Sequence, residues 1–149
     1  MADLTTTITE TVTVNGVLRG STNTQTITGI IDTFERVVVC PHSQTTTIAT
    51  FATNVYTSVG AIDAQGVKYC RITNLSDTYH IELAIVGAAT LNQLFIPAGS
   101  SYVLNRTDDA MLAEADTSPS FGTMADIASL QIRPTASSDV SVEIFVASA

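Results

Sequence analysis

Lysine and tryptophan are almost missing from this 149-residue sequence, which contains one Lys, no Trp and five scattered Arg. Binding to nucleic-acid phosphates or to anionic lipid requires clustered cations, and no basic run is present. Acidic residues outnumber basic ones by fourteen to six, so the formal net charge is −8. We therefore expect no direct contact with nucleic acid and none with a membrane.

Long hydrophobic runs are also lacking. No apolar stretch approaches the roughly 20 residues that span a bilayer. Residues 1–10 (MADLTTTITE) have neither the cationic start nor the apolar core of a signal peptide. We expect the protein to be made and assembled in a cytoplasm.

Only two cysteines occur, Cys40 and Cys70, each in an apolar strand-like run. They could form a disulfide only if their strands were neighbours, and in a reducing compartment buried free thiols are the expected state. Two cysteines cannot make a Cys₄ zinc site, and their spacing of 30 residues is not that of a ligand pair.

A catalytic constellation is missing as well. The two imidazoles, His42 and His80, fall in a turn and on a strand, where surface positions are the ordinary expectation. Neither GxSxG nor HExxH occurs, and the eight glycines form no phosphate-binding loop. Asp108, Asp109 and Asp116 could offer oxygen ligands to Ca²⁺, but their spacing matches no calcium loop. We predict that the protein is not an enzyme and holds no cofactor or metal.

Threonine is what the sequence has in abundance, with 24 residues of 149, while 45% of residues are hydrophobic and only 13% are charged. Thr is β-branched and fits a pleated strand, and its hydroxyl keeps an exposed face polar. This composition excludes general disorder and indicates an ordered β protein.

The clearest pattern is at the start of the chain, where residues 4–14 read LTTTITETVTV. Strict alternation predicts one strand with a mainly buried face and a solvated face, because side chains switch sides at each residue. The solvated face is a row of threonines: Thr5, Thr7, Thr9, Thr11 and Thr13. An exposed strand face is the simpler interpretation, and the alternative is an arm that adds an edge strand to a neighbouring subunit. These five residues are our candidate intersubunit contact.

Turn residues divide the rest of the chain into short strands. Asn15-Gly16 predicts a tight hairpin and residues 20–23 a turn, whereas 67–75 and 79–86 predict a second hairpin across Ser76-Asp77-Thr78. Residues 106–125 interrupt the series of strands, and Asp108-Asp109 could cap one short helix over 110–115. A connection of this length is often functional, so this segment is our second candidate for intersubunit contact. In total the sequence predicts nine or ten short, mainly antiparallel strands that form a sandwich or barrel. They belong to one domain, 1–149, in which residues 1–23 form an N-terminal arm or hairpin.

Four stretches together resemble small structural proteins of tailed bacteriophages, notably marine and cyanobacterial ones: VTVNGVLRGSTNTQTI, VKYCRITNLSDTYHIELAI, FIPAGSSYVLN and DIASLQIRPTASSDVSVEIFVAS. The resemblance spans most of the chain, in short pieces. It implies an all-β, jelly-roll-like antiparallel sandwich that decorates the phage head or forms part of the tail. Head decoration (cement) proteins of this kind commonly act as trimers on the capsid lattice. No binding residue carries over.

The resulting hypothesis is a virion capsid decoration protein, with the major capsid protein and its own copies as partners and a homotrimer as the favoured state. A tail, neck or fibre-associated subunit is the alternative within the virion. A carbohydrate-binding β-sandwich is the alternative of another class, in which Tyr56, Tyr69, Tyr79 and Tyr102 would line a sugar platform. The missing Trp removes the usual stacking residue of such a platform.

Overall fold

The computed structural model describes residues 1–114 and 118–149, and nearly all of its regular structure is β. The described residues form thirteen strands and one 3₁₀ turn, Val55–Thr57. The strands are β1 Ala2–Thr9, β2 Val12–Val14, β3 Val17–Arg19, β4 Thr22–Ile30, β5 Asp32–Cys40, β6 Thr46–Ala52, β7 Ile62–Asp63, β8 Val67–Asn74, β9 Ile81–Gly87, β10 Leu91–Ile96, β11 Ser101–Leu104, β12 Ile127–Pro134 and β13 Val140–Ser148.

Two sheets form the body of the molecule. One has the strand order β11-β8-β13-β5, and the other has the order β10-β9-β12-β6-β7, in which only the β6–β7 pair is parallel. Apart from the two-residue β7, these are eight strands in two sheets of four. Chain neighbours β5 and β6, β8 and β9, β10 and β11, and β12 and β13 lie in opposite sheets. This is the double-sheet arrangement of a jelly roll, which confirms the predicted all-β, antiparallel sandwich.

The core lies between the two sheets and follows the predicted alternation. In β13, Val140, Val142, Ile144 and Val146 are buried, while the residues between them are half-buried on the outer face. In β8 and β9 the same period places Cys70, Ile72, Ile81, Leu83 and Ile85 inside. The inward-facing branched aliphatic residues of these strands therefore form one continuous apolar layer.

The predicted hairpin over 67–75 and 79–86 is wrong. β8 pairs with β11 and β13, and β9 pairs with β10 and β12, so the connection crosses from one sheet to the other. The buried side chain of Asn74 holds this crossing. Its Nδ2 lies 2.8 Å from the carbonyl oxygen of Tyr79, 3.3 Å from that of Ile96 and 3.1 Å from that of Pro97, and its Oδ1 accepts from the backbone N–H of Ser76 at 3.0 Å.

The short helix considered over 110–115 does not form in the described residues 110–114. Met111 instead makes an antiparallel bridge with Ala125, which ties the two ends of this loop together. The buried Thr107 hydroxyl donates to the carbonyl oxygen of Ala64 at 2.7 Å and anchors the start of the segment to the body. Residue 115 lies outside the described residues.

The N-terminal residues form a two-stranded ribbon, in which β1 pairs with β4 and, further out, β2 pairs with β3. The hairpin prediction at Asn15-Gly16 is confirmed: both residues have positive φ, 51° and 78°, as a two-residue type I′ turn requires. Residues Thr22 and Asn23 belong to β4, so the predicted turn over 20–23 is shorter than expected.

The ribbon is interrupted at Glu10 and Thr11, where the sequence predicted one continuous strand. The Glu10 N–H donates to the Ser21 carbonyl oxygen at 2.9 Å, and Gly20 has φ 124°. A Cβ on Gly20 would lie 2.0 Å from the Glu10 carbonyl oxygen, so the two backbones approach more closely than any other residue would permit. Alternation in one strand does not reveal such an approach by its partner.

The two cysteines are buried free thiols, as the sequence predicted for a reducing compartment. They lie on strands β5 and β8, which flank β13 on opposite sides. Cys40 pairs with Val140 and Cys70 with Val146, about 20 Å apart along β13. A disulfide needs Cα atoms within about 7 Å, so this fold separates the two thiols too far for one.

Candidate interaction surface

Six threonines form the outward face of the ribbon. Thr5, Thr7 and Thr9 of β1 lie opposite Thr26, Thr24 and Thr22 of β4, and all six are exposed. The hydroxyls of Thr7 and Thr24 are 3.2 Å apart and those of Thr9 and Thr22 are 3.3 Å apart, as in hydrogen-bonded pairs. We call this set the threonine face. It offers two parallel columns of hydroxyls on stiff side chains, which lose little entropy when a partner covers them.

Only three of the five candidate contact residues belong to the threonine face. Thr11 falls in the interruption between β1 and β2, and Thr13 lies in β2 opposite Leu18. The row predicted from the sequence is therefore split in two. The three partners from β4 were missed, although TNTQT at residues 22–26 repeats the same alternation and was available as a signal.

The other face of the ribbon lies over the outer side of the sheet β11-β8-β13-β5. Leu4 is half-buried there, whereas Ile8, four residues further along the same face of β1, is 63% exposed. The expectation of a mainly buried face therefore holds only near the base of the ribbon. Beyond Leu4 the ribbon and sheet enclose an open groove of about 620 Å³, with Tyr69, Val103 and Phe145 on its floor.

The tip of the ribbon is an apolar hairpin. Val12 pairs with Arg19 and Val14 with Val17, so these four side chains share one face, which we call the tip face. Each of its three valines is at least half exposed, and Leu18 on the opposite face is 69% exposed. An isolated two-stranded hairpin is at best marginally stable in water, and no further layer of the described residues covers this one.

A second exposed apolar surface lies on β5, at the edge of the sheet. Phe34 and Val38 point into the core, so Glu35, Val37 and Val39 point outward, and we call these three the β5 face. The exposed fractions of Val37 and Val39 are 56% and 61%. Both surfaces thus combine exposed valines with one charged group, a guanidinium on the tip face and a carboxylate on the β5 face.

The acidic residues of the 106–125 segment make internal contacts. Arg106 Nη2 lies 3.0 Å from Asp108 Oδ2 and 3.8 Å from Asp109 Oδ2. The backbone N–H of Asp109 donates to Asp126 Oδ1 at 2.9 Å. The third acid considered for calcium, Asp116, lies outside the described residues. Among the residues described, no group of three or more potential ligands is close enough to hold a metal ion.

The same segment covers one end of the sandwich and leaves an open apolar pocket of about 790 Å³. Its lining includes Ile85, Leu104, Met111 and Phe121, and Phe121 is itself 82% exposed. Glu114 accepts from the backbone N–H of Ser120 at 2.7 Å and also from its hydroxyl. These bonds lower the carboxyl's pKa.

The four tyrosines do not line one platform. Tyr102 packs against the core, whereas Tyr69 lies on the outer face of the same sheet with its ring centroid 6.1 Å from that of Phe145. Tyr56 is exposed in the 3₁₀ turn and Tyr79 lies in the crossing between the sheets. No shared surface for sugar stacking arises from the described rings.

The histidines also lie apart. His42 Nδ1 is 2.8 Å from Asp139 Oδ1, and the His42 backbone N–H donates to the same oxygen at 2.9 Å. These two bonds lower the pKa of the exposed Asp139 carboxyl. His80 lies against the ring of Phe95 on the other sheet, with centroids 5.2 Å apart. Within the described part of the chain, neither imidazole faces a nucleophile.

The solvent-accessible surface of the chain is large for its mass. The chain exposes 9007 Å², whereas a compact monomer of this mass exposes about 7,300 Å². The excess of about 1,700 Å² is roughly twice the 800 Å² that one partner contributes to a standard interface. Among the described residues, no helix is long and apolar enough to cross a membrane.

Comparison with known proteins finds no match to a family model, to a curated protein or to a solved structure.

Proposed function

We propose that this chain is a structural protein of a tailed-phage particle that decorates the outer surface of the head by binding the major capsid protein. The observation that carries the proposal is the ribbon: a rigid jelly roll holds out some 29 residues whose two faces are largely exposed. A protein that acts by holding its neighbours needs such a surface.

The fold and the charge are compatible with this role. Jelly rolls occur in viral capsid and lectin domains, so the fold supports the proposal by analogy alone. The net charge of −8 disfavours binding to the packaged genome. The sequence resemblance to small structural proteins of phages points the same way, and it favours a homotrimer located on the virion and assembled in the host cytoplasm.

The threonine face is the surface we assign to contact with a neighbouring subunit of the shell. Its hydroxyls donate and accept hydrogen bonds, and its methyl groups add apolar contact. Few long charged side chains lie nearby, so ordering this surface costs little side-chain entropy. Under this proposal Thr5, Thr7 and Thr9 contact the shell together with their partners on β4.

The test is co-sedimentation with purified, expanded capsids of the phage that encodes the chain. We expect saturable binding and a higher temperature of DNA release from decorated heads. Replacement of Thr7 and Thr24 by Lys should abolish binding, because it places two cations at the centre of a surface from which the bound shell would exclude water. A matched pair, Leu91→Lys and Gln93→Lys on the opposite sheet, should bind normally.

Failure to sediment with expanded capsids would overturn the proposal for the head. Imaging of the intact particle would then separate the alternatives, because a tail, neck or fibre-associated subunit would give density away from the head. Retention on immobilised glycans without binding to any part of the particle would favour the carbohydrate-binding alternative.

A further inference from the structure

We propose that the tip face of one copy packs on the β5 face of a second copy, so that the chain associates with itself head to tail through the end of its ribbon. The inference does not depend on binding to a capsid. It rests on the exposure of the two faces, their matching chemistry and the area available for contact.

The first step is that the chain's own body does not cover the tip face, whose three valines are each at least half exposed. The ribbon leaves the body between the half-buried Thr6 and the exposed Ile8. From Ile30 at its base to Val17 at its tip, the ribbon extends up to about 40 Å. This is comparable to the diameter of the body, so the tip face can reach an adjacent molecule.

The second step is that the two faces are both flat and apolar and carry opposite charges. The tip face offers three valines and Arg19, and the β5 face offers two valines and Glu35. Both are faces of β-strands and are therefore flat on the scale of a few side chains. Among the described residues, neither Arg19 nor Glu35 has an ion-pair partner within the chain, so each charge is available to the other.

The third step concerns the distribution of charge over the molecule. The outer hairpin, residues 11–21, contains a single charged side chain, Arg19, whereas Asp3 and Glu10 lie nearer the base of the ribbon and give residues 1–31 a net charge of −1. Residues 32–149 contain twelve acidic and five basic residues, a net charge of −7. Two copies of the whole chain repel each other, but the end of the ribbon is attracted to the body of a neighbour.

The fourth step is the area. Each copy in a head-to-tail contact uses two different patches, one that inserts its tip and one that receives a tip. Two patches of standard size would use about 1,600 Å² per chain, and the chain exposes about 1,700 Å² more than a compact monomer, a surplus that also includes the threonine face. A head-to-tail contact closes into a ring when the rotation between copies permits it, and the trimer favoured above is one such ring.

The test is a charge reversal measured by sedimentation velocity on the purified full chain, without capsids. Arg19→Glu alone and Glu35→Arg alone should each raise the dissociation constant of self-association by about tenfold. The double variant again brings opposite charges together, with their positions exchanged. It should return the dissociation constant to within about threefold of the original. Replacement of Val12, Val14 and Val17 by Thr should raise it by about 100-fold or more, because apolar burial is lost.

Two controls keep the result interpretable. Leu91→Thr on the outer face of the opposite sheet should leave self-association unchanged. At a concentration where both proteins are monomeric, every tip variant should keep the melting temperature of the original protein, since the substituted residues lie outside the core.

Two results would overturn the inference. One is an original chain that stays monomeric at high micromolar concentration. The other is a double variant whose dissociation constant is raised by as much as the two single substitutions would raise it together. A monomer that still sediments with capsids would refute this inference and leave the proposed function intact. A chain that self-associates but does not bind capsids would support this inference and refute the proposed function.

Discussion

The sandwich and the ribbon consist of the same residue types in the same alternating pattern, yet they bury them very differently. Ile144 in β13 is fully buried between two sheets, whereas Ile8 in β1 is 63% exposed. The local pattern does not account for this difference. A strand of the sandwich has a second sheet opposite its apolar side, while beyond its base the ribbon has only an open groove. Alternation therefore determines which side chains share a face, and the tertiary fold determines whether that face is covered.

Thiol chemistry should show the largest contrast between the two regions. Burial raises the pKa of Cys70 to about 12 and also raises that of Cys40, so thiolate is scarce at pH 8. We expect neither to react with a thiol reagent in the folded protein and both to react in denaturant. A Thr7→Cys variant should react at least about 1,000-fold faster through its new thiol. Measuring released chromophore against time tests this, and fast labelling of a native cysteine would contradict the buried assignment.

Truncation of one isoleucine in each region tests the comparison by stability. Ile144→Ala should lower the free energy of unfolding by about 2–5 kcal/mol, because it removes contacts and leaves a cavity in a closed core. The matched Ile8→Ala should change it by about 0.5 kcal/mol or less. Urea unfolding followed by circular dichroism measures both. Equal losses would mean that the ribbon is part of the same cooperative core.

Removal of the Asn74 side chain tests the crossing between the sheets. Asn74→Ala leaves the buried carbonyl oxygen of Ile96 and the part-buried ones of Tyr79 and Pro97 without their shared donor. A buried group orphaned in this way costs about 1–3 kcal/mol, and the two part-buried groups cost less because water can reach them. We expect a total loss of about 2–4 kcal/mol in the same unfolding assay. Gln93→Ala on the exposed outer face of β10 serves as the control. A loss no larger than that of the control would show that the crossing is held by other contacts.

Much of the sandwich was predictable from the sequence because its signals are local. The β13 strand and the Asn15-Gly16 turn follow from alternation and from the φ angles that these turn residues accept. The path of the chain between 75 and 80 was not predictable in this way. A short polar connection fits a hairpin and a crossing equally well, and the choice depends on Asn74 contacting carbonyls some 22 residues away.

The candidate surface was predictable in part for the same reason. Thr5, Thr7 and Thr9 could be placed on one face from their spacing, but their partners on β4 depend on a pairing that no local pattern specifies. The tip face and the β5 face were not foreseen. Their valines alternate like those of the core, and only the absence of a covering layer in the folded chain distinguishes them.

A backbone substitution in the ribbon should disturb it without affecting the sandwich. Gly20→Ala forces a Cβ against the Glu10 carbonyl oxygen, so the ribbon must separate at that point. Gly16→Ala is the matched control, since its φ is also positive but no atom lies within 4 Å of the added Cβ. We expect faster amide hydrogen exchange across residues 8–22 in Gly20→Ala than in the control. Melting temperatures within a few degrees of the original would show that the two regions are energetically separate.

The smallest expected effect is at Asp139, on the rim of the sandwich. Hydrogen bonds from the backbone and ring of His42 lower the pKa of this carboxyl below its ordinary value of 3.8. A carboxyl with a lowered folded-state pKa stabilises the protein above its unfolded pKa and loses that contribution as the pH falls through the folded value. Asp139→Asn should therefore melt slightly below the original protein at pH 6, and the gap should close below about pH 4. Since the carboxyl is exposed, a gap that is large or that widens in acid would mean that another group at this rim controls the pH dependence.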